Sequence, residues 1–295
     1  MTAATSTPGR TLDPGPPDRA TAPGARRTRA AFAVASGDGR IALVPYVVAG
    51  YPDAETSFRV ATAAIDAGAD LLEIGLPYSD PLADGATLQR ATAAALASGA
   101  TFERSLALLA RIAQARPTVP LVPMAYANQI LGGGDGSERT RALAEAGASG
   151  LIVADLTPDE GSAYERVAAA AGLGIVYLVA PTTPAARRAA VAARSTAFLY
   201  CVSLVGVTGA RAALPASVSR LIRDVRSVSP VPVAVGFGVS RPAHVRSIAR
   251  AGADGVIVAS ALVDALGPDG RDVASMGRLV ARLRAATGRP IVVAV

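Results

Sequence analysis

From about residue 30 onward the chain alternates between two patterns. Short apolar runs rich in β-branched residues are each followed by a longer, Ala-rich stretch with helical spacing. The apolar runs are IALVPYVVAG, LLEIGLPY, VPLVPMAYA, GLIVADL, GIVYLVAP, TAFLYCVS, VPVAVGFGV and GVIVASALV. Helical patterns such as TSFRVATAAIDAGA, SERTRALAEAGA, DEGSAYERVAAAAG and RPAHVRSIARAGA lie between them. The triplet AGA closes three of these helices, at residues 67–69, 146–148 and 251–253, and a strand follows at once. Its glycine is the expected left-handed helix stop.

Eight strand-then-helix units over about 260 residues predict an α/β fold, a (β/α)8 TIM barrel. Continuously apolar strands fit a parallel sheet covered on both faces. A doubly wound open sheet is the alternative, but no GxGxxG follows the first strand. Two helical patterns, GATLQRATAAALASG and TFERSLALLARIAQA, follow the second strand, so that unit carries an extra helix. Residues 1–28 are rich in Pro, Gly, Thr and Arg and lack apolar periodicity. They are expected to form a disordered tail ahead of a barrel domain at 29–295. Removing that tail is expected to leave the fold intact.

Composition narrows the chemistry. Apolar residues make up 51% and charged ones 18%, which allows a large core. No apolar run reaches the roughly 18 residues of a membrane span. The single cysteine, Cys201, excludes an intrachain disulfide and fits a reducing compartment, so a cytoplasmic location is expected. The net charge of +6 comes entirely from arginine, and those arginines are scattered over helical segments, as at Arg59, Arg90, Arg111, Arg187 and Arg220. With no Trp and few aromatics, nucleic-acid binding is not expected. The absence of Lys excludes a side-chain Schiff base. The one histidine, His244, excludes a His-rich metal site and reads as a surface helical residue. Catalysis must then rest on carboxylates, hydroxyls, Arg and backbone groups.

In a barrel these groups belong at the C-terminal ends of strands. Glu73 lies inside the second strand. Its neighbours Leu72 and Ile74 point the other way, so Glu73 points into the barrel if they pack on helices. A carboxylate there is costly unless paired or protonated, and its pKa should rise. Either it moves a proton, or it is a structural acid bonded to a tyrosine such as Tyr126 or Tyr200. Asp84 is either a second catalytic acid or the cap of the helix beginning near Gly85. Asp80 before Pro81 fits a turn. The glycines of GVTGAR and GFGVS, including Gly236 and Gly238, suit an anion cradle or simply tight turns. Ala259 and Ser260 stand at the eighth strand–helix junction, where barrels often bind phosphate.

The run LLEIGLPYSDPLADGATLQRA resembles the signature of the alpha chain of tryptophan synthase. Further matches follow in order: PYVVAGYPD, MAYANQI, GLIVADLTPDE, LVAPTTP, VSLVGVTGAR and VAVGFGVS. The resemblance covers residues from about 40 to 265 and implies a retro-aldol cleavage of indole-3-glycerol phosphate to indole and glyceraldehyde 3-phosphate, with no metal or organic cofactor in this chain. It implies that Glu73 is the general acid and base, and that Asp84 polarises the indole N–H. It places Tyr46, Tyr126 and Tyr200 in the substrate pocket. Thr208 matches a residue of a mobile sixth loop that closes on Asp84. Gly209, Gly238, Ala259 and Ser260 match the phosphate cradle. Asp80, Pro81 and Asn128 match surfaces that face a beta chain, which would carry pyridoxal phosphate in a heterotetramer of two alpha and two beta chains.

Three positions depart from the family's pattern. Ala259 stands for Gly, Ala86 for Pro and Val48 for Thr. Both carboxylates remain. The alternatives are a free-standing indole-releasing lyase, or a non-catalytic paralogue that activates a beta chain. A sugar-phosphate isomerase is disfavoured because most lean on Lys, His or a metal.

Overall fold

Each of the eight apolar runs contains one strand of the sheet in the computed structural model, which describes residues 19–202, 216–236 and 238–289. The strands are β1 (Ala42–Val48), β2 (Leu72–Gly75), β3 (Leu121–Ala125), β4 (Gly150–Val153), β5 (Gly174–Val179), β6 (Leu199–Val202), β7 (Val233–Gly236) and β8 (Gly255–Val258). They pair in parallel, in sequence order, and β8 closes onto β1. The fold is a (β/α)8 TIM barrel.

The helices are α1 (Pro23–Gly37), α2 (Ala54–Asp66), α3 (Ala86–Ala97), α4 (Phe102–Ala115), α5 (Ala127–Leu131), α6 (Ser137–Glu145), α7 (Ser162–Ala170), α8 (Ala185–Arg194), α9 (Ala216–Val228), α10 (Pro242–Arg250), α11 (Ser260–Ala265) and α12 (Val273–Arg284). The second unit carries both α3 and α4, as its two helical patterns predict. The three AGA glycines, Gly68, Gly147 and Gly252, have φ of +105°, +100° and +93°. They are the left-handed stops that end α2, α6 and α10. Among the described residues, no helix is long and apolar enough to cross a membrane.

Strand alternation sorts the core into two layers. Outward residues such as Leu72, Ile74, Leu121 and Leu151 pack under the helices. Inward residues such as Val44, Leu71, Val122, Ile152, Val176, Phe198 and Ile257 fill the barrel. One expected strand is too long. In GVIVASALV the strand stops at Val258 and Ser260 opens α11, so the apolar run overshoots the strand while Ala259 and Ser260 stand at the strand–helix junction where they were expected. A short apolar run cannot be told from a buried helical turn by periodicity alone.

The expected tail boundary at residue 28 is also displaced, because it falls inside α1. Pro23 starts that helix, where its missing N–H costs nothing. Gly24 donates its N–H to Gly172 O at 2.8 Å, and a Cβ there would come within 2.0 Å of Ser149 O. Ala25, Thr28, Phe32 and Ala35 are buried against the N-terminal ends of the strands. Phe32 meets Phe198 in the barrel interior with ring centroids 5.5 Å apart. The helix thus closes the floor of the barrel. Deleting residues 1–28 removes its first turn and a half, contrary to the expectation that the fold is indifferent to this cut. We expect Tm to fall by about 5 °C or more on that deletion, taking roughly 2–4 °C per kcal/mol for a domain of this size. An unchanged calorimetric Tm would contradict the seating of α1.

Candidate active site

The site sits at the C-terminal end of the barrel and is set by register. In the sheet, Tyr46 of β1 stands beside Glu73 of β2. Two residues beyond Glu73 comes Gly75, and a Cβ on it would lie 1.8 Å from the Tyr46 hydroxyl. Tyr46 therefore occupies the space that any other residue at 75 would fill. Gly236 does the same for Tyr200, whose hydroxyl would meet a Cβ at 2.7 Å. Gly236 thus has a packing role that the sequence reading did not include: its bare Cα lets a tyrosine lie over the end of β7.

Glu73 is fully buried. Neither carboxylate oxygen has a hydrogen-bond partner among the described residues. The alternative of a structural acid pinned to a tyrosine fails on this point. The Tyr126 hydroxyl instead accepts from Ala83 N at 2.9 Å. Burial, and then the negative charge of Asp84, push the Glu73 pKa up to about 8. At neutral pH the group is mostly protonated and holds a proton it can give.

Asp84 lies on the loop between β2 and α3. It does not cap α3: Gly85 is the N-cap residue, with no side-chain bond. Burial lifts the Asp84 pKa to about 6, so near neutrality it is largely ionised while Glu73 is not. Tyr46, Tyr126 and Tyr200 all titrate above their ordinary value, mainly through burial, with Asp84 adding to each. They are neutral hydroxyls at any physiological pH.

Tyr46, Glu73, Asp84, Tyr200 and Ala259 line one cavity of about 550 Å³. Its remaining wall is mostly apolar: Leu82, Leu88, Met124, Leu178 and Val202. Sequence reading missed these residues. The available signal was the period of two, since Met124 lies two before Tyr126, and Leu178 and Val202 are inward on the strand ends. Val48, the last residue of β1, packs with Tyr46, Ala91 and Ala95, so the departure there extends an apolar cluster.

The other expected residues scatter as follows. Ala259 is the N-cap residue of α11 and Ser260 its first residue. Gly238 has φ of +54° in the loop after β7, a conformation that favours glycine. Ala86 opens α3 and is exposed. Asp80 and Pro81 lie on the loop after β2, exposed and half-buried respectively, and the exposed Asn128 lies in α5; none of the three lines the cavity. Thr208 and Gly209 lie outside the described residues. His244 is not the surface residue expected: it is buried on α10, and its Nδ1 accepts from Ser240 N at 3.3 Å. The alternation that buries Val245 and Ile248 also carries His244 inward, at the first turn of an amphipathic helix.

The site is an apolar slot with one protonated and one ionised carboxylate above an apolar barrel core, an arrangement that can give and take a proton away from water. A family model for the tryptophan synthase alpha chain matches residues 32–293. The chain belongs to that family. The family cleaves indole-3-glycerol phosphate in tryptophan biosynthesis, a carbon–carbon lyase reaction. The tryptophan synthase alpha chain of Roseiflexus sp. is 44% identical over 256 residues, which span 86% of this chain and 97% of the relative. That of Chloroflexus aurantiacus is 43% identical over 263 residues, 88% of this chain and 97% of the relative. Among solved structures, Mycobacterium tuberculosis tryptophan synthase superposes with a TM-score of 0.82 at 38% identity, over 90% of this chain and 99% of that one.

The raised Glu73 pKa has a stability consequence with a definite sign. Below the unfolded-state pKa, near 4.5, the carboxyl is protonated in both states and burial carries no ionic penalty. Between there and about 8 the unfolded chain gains by releasing the proton that the folded chain holds. We expect Glu73→Gln to gain stability relative to wild type as pH rises from 4.5 to 8, measured by urea unfolding. A difference that stays constant over this range would refute the unpaired burial of Glu73.

Proposed function

We propose that this chain cleaves indole-3-glycerol phosphate through the Glu73 and Asp84 pair, with no group beyond its own side chains and backbone. What carries the reading is the fully buried Glu73, without a hydrogen-bond partner among the described residues, facing the same cavity as an acid of lower pKa. Glu73 starts protonated and delivers its proton to indole C3. The ring becomes a cation with its charge centred on nitrogen, and the Asp84 carboxylate stabilises it through the N–H. The Glu73 carboxylate then takes the proton from the hydroxyl on the carbon attached to C3. The C–C bond breaks, its electrons return to the ring, and indole and the aldehyde separate. Glu73 gives one proton and recovers one, so the chain ends as it began.

The apolar wall formed by Leu88, Met124, Leu178 and Val202 would hold the indole plane and keep water away from the cation. Gly209, Gly238, Ala259 and Ser260 would receive the phosphate, largely through backbone N–H groups, with Thr208 on the loop that completes the site. Ala259 retains the N–H that a glycine would offer, and its methyl lines the cavity. Tyr46, Tyr126 and Tyr200 would border the substrate. The barrel domain that carries this chemistry includes α1.

A beta chain holding pyridoxal phosphate would dock beside the site, in a cytoplasmic assembly of two alpha and two beta chains. The exposed Leu82 supports this, as does the shallow groove next to it, formed by Tyr78, Asp80, Pro81 and Leu96. Asn128 borders the same face and donates to Tyr78 Oη at 3.4 Å. An apolar side chain 90% exposed at the rim of an active site is what a docking surface needs.

The test is indole release from indole-3-glycerol phosphate by the purified protein, alone and with a beta chain. Glu73→Gln should lower kcat by about 10²–10⁴-fold, the usual share of general acid–base catalysis, while a phosphate-bearing indole ligand still binds. Turnover like that of the wild type in this variant would overturn the assignment. For the wild type, kcat/KM should fall as pH rises through about 8, as Glu73 loses the proton it must donate.

A further inference from the structure

Asp84 hangs on a loop, residues 76–85, whose internal bonds are short-range turns. Leu82 N donates to Asp80 O at 2.9 Å and Asp84 N to Pro81 O at 3.0 Å. From α3, Gln89 Nε2 donates to the Asp84 carbonyl at 3.0 Å. At the base of the loop, Leu76 N donates to Met124 O at 2.8 Å, which continues the sheet. The remaining ties cross to the start of α5. The Tyr126 hydroxyl accepts from Ala83 N, Gln129 Nε2 donates to the Pro77 carbonyl at 2.9 Å, and Asn128 Nδ2 makes a longer bond to the Tyr78 hydroxyl at 3.4 Å.

Gln129 does more than meet the loop. Its Oε1 accepts from Tyr126 N at 3.1 Å. One carboxamide therefore binds the backbone of the residue whose ring pins Ala83, and the backbone of the loop's other end. Tyr126 is held further by stacking on Tyr78, with centroids 5.0 Å apart. The segment from Pro77 to Ala83 is thus fastened at both ends to one short stretch of chain, and Asp84 is the next residue. The chemistry asks for glutamine. It needs an acceptor facing Tyr126 N–H and a donor facing the Pro77 carbonyl, at this length. A carboxylate offers only acceptors, and a thioether offers bulk alone.

We propose that Gln129 is a positioning residue for Asp84, its carboxamide clamping Pro77 to Tyr126 so that the loop presents the Asp84 carboxylate beside Glu73. The proposal rests on the role given to Asp84 above. Removing the clamp lets the loop, and with it the charge, move away from Glu73. Glu73 faces Asp84, Tyr46 and Tyr200, and the two tyrosines stay neutral through the working range. A change in Glu73 titration therefore reports on where Asp84 sits.

The experiment is the pH dependence of kcat and KM for indole-3-glycerol phosphate cleavage by wild type, Gln129→Met, Gln129→Glu and Asp84→Asn. For Gln129→Met we expect kcat to fall roughly tenfold, as for a misplaced catalytic group, with KM changed less than about twofold. We also expect the alkaline limb to move down by about half a unit as Asp84 withdraws. Gln129→Glu keeps the acceptor and loses the donor, and should lower kcat likewise; because it adds a negative charge of its own, the limb is read on the neutral Gln129→Met. A limb that stays in place overturns the proposal, whether kcat is unchanged or merely scaled down by partial unfolding. Asp84→Asn separates the two levels. If it cleaves substrate like the wild type, the role of Asp84 falls. If it fails while Gln129→Met matches wild type, only the clamp falls.

Discussion

Everything at this site follows from one costly placement: a carboxyl group with no hydrogen-bond partner among the described residues, fully buried in a closed barrel. Such a group resolves its cost by holding its proton. The barrel supplies the conditions. Below Glu73 the interior is apolar, with Leu71, Val122 and Phe198, and among the described residues no group hydrogen-bonds the carboxylate to favour its ionised form. Above it the cavity is walled mostly by aliphatic side chains. The floor depends on α1, whose Phe32 meets Phe198, which in turn meets Tyr200 at 6.4 Å. An aromatic column thus runs from the closing helix to the wall of the active site.

The second acid gains its meaning from the first. Asp84 sits on a loop instead of a strand and is less buried, so its pKa rises only to about 6. The two carboxyls differ in environment, and that alone gives them opposite protonation states at neutral pH. The neutral one can act as an acid toward carbon. The charged one can meet the cation that this step creates. The Asp84 charge in turn helps keep Glu73 protonated. Placement of the loop is therefore part of the acid–base chemistry and not only of substrate fit.

Much of this was legible in the sequence, for physical reasons. Leu72 and Ile74 flank Glu73, and a period of two leaves no choice but to turn the acid inward once those neighbours pack on helices. Left-handed glycine stops marked the ends of α2, α6 and α10 because only that backbone geometry ends them so sharply. What was not legible depends on contacts between distant segments. Residues 23–28 read as tail because Pro, Gly and Arg dominate them, yet Gly24 is needed for close approach to Ser149 and Gly172. Gly236 read as a turn or anion glycine and Gly75 carried no reading, yet each accommodates a tyrosine from a neighbouring strand.

The most direct measurement is a carboxyl-carbon NMR titration of the wild-type protein, with the Glu73 signal assigned by its loss in Glu73→Gln. A midpoint near 8 is the predicted result. A midpoint near the ordinary 4.5 would mean that Glu73 is solvated or paired, and the account of a buried, proton-holding acid would be wrong.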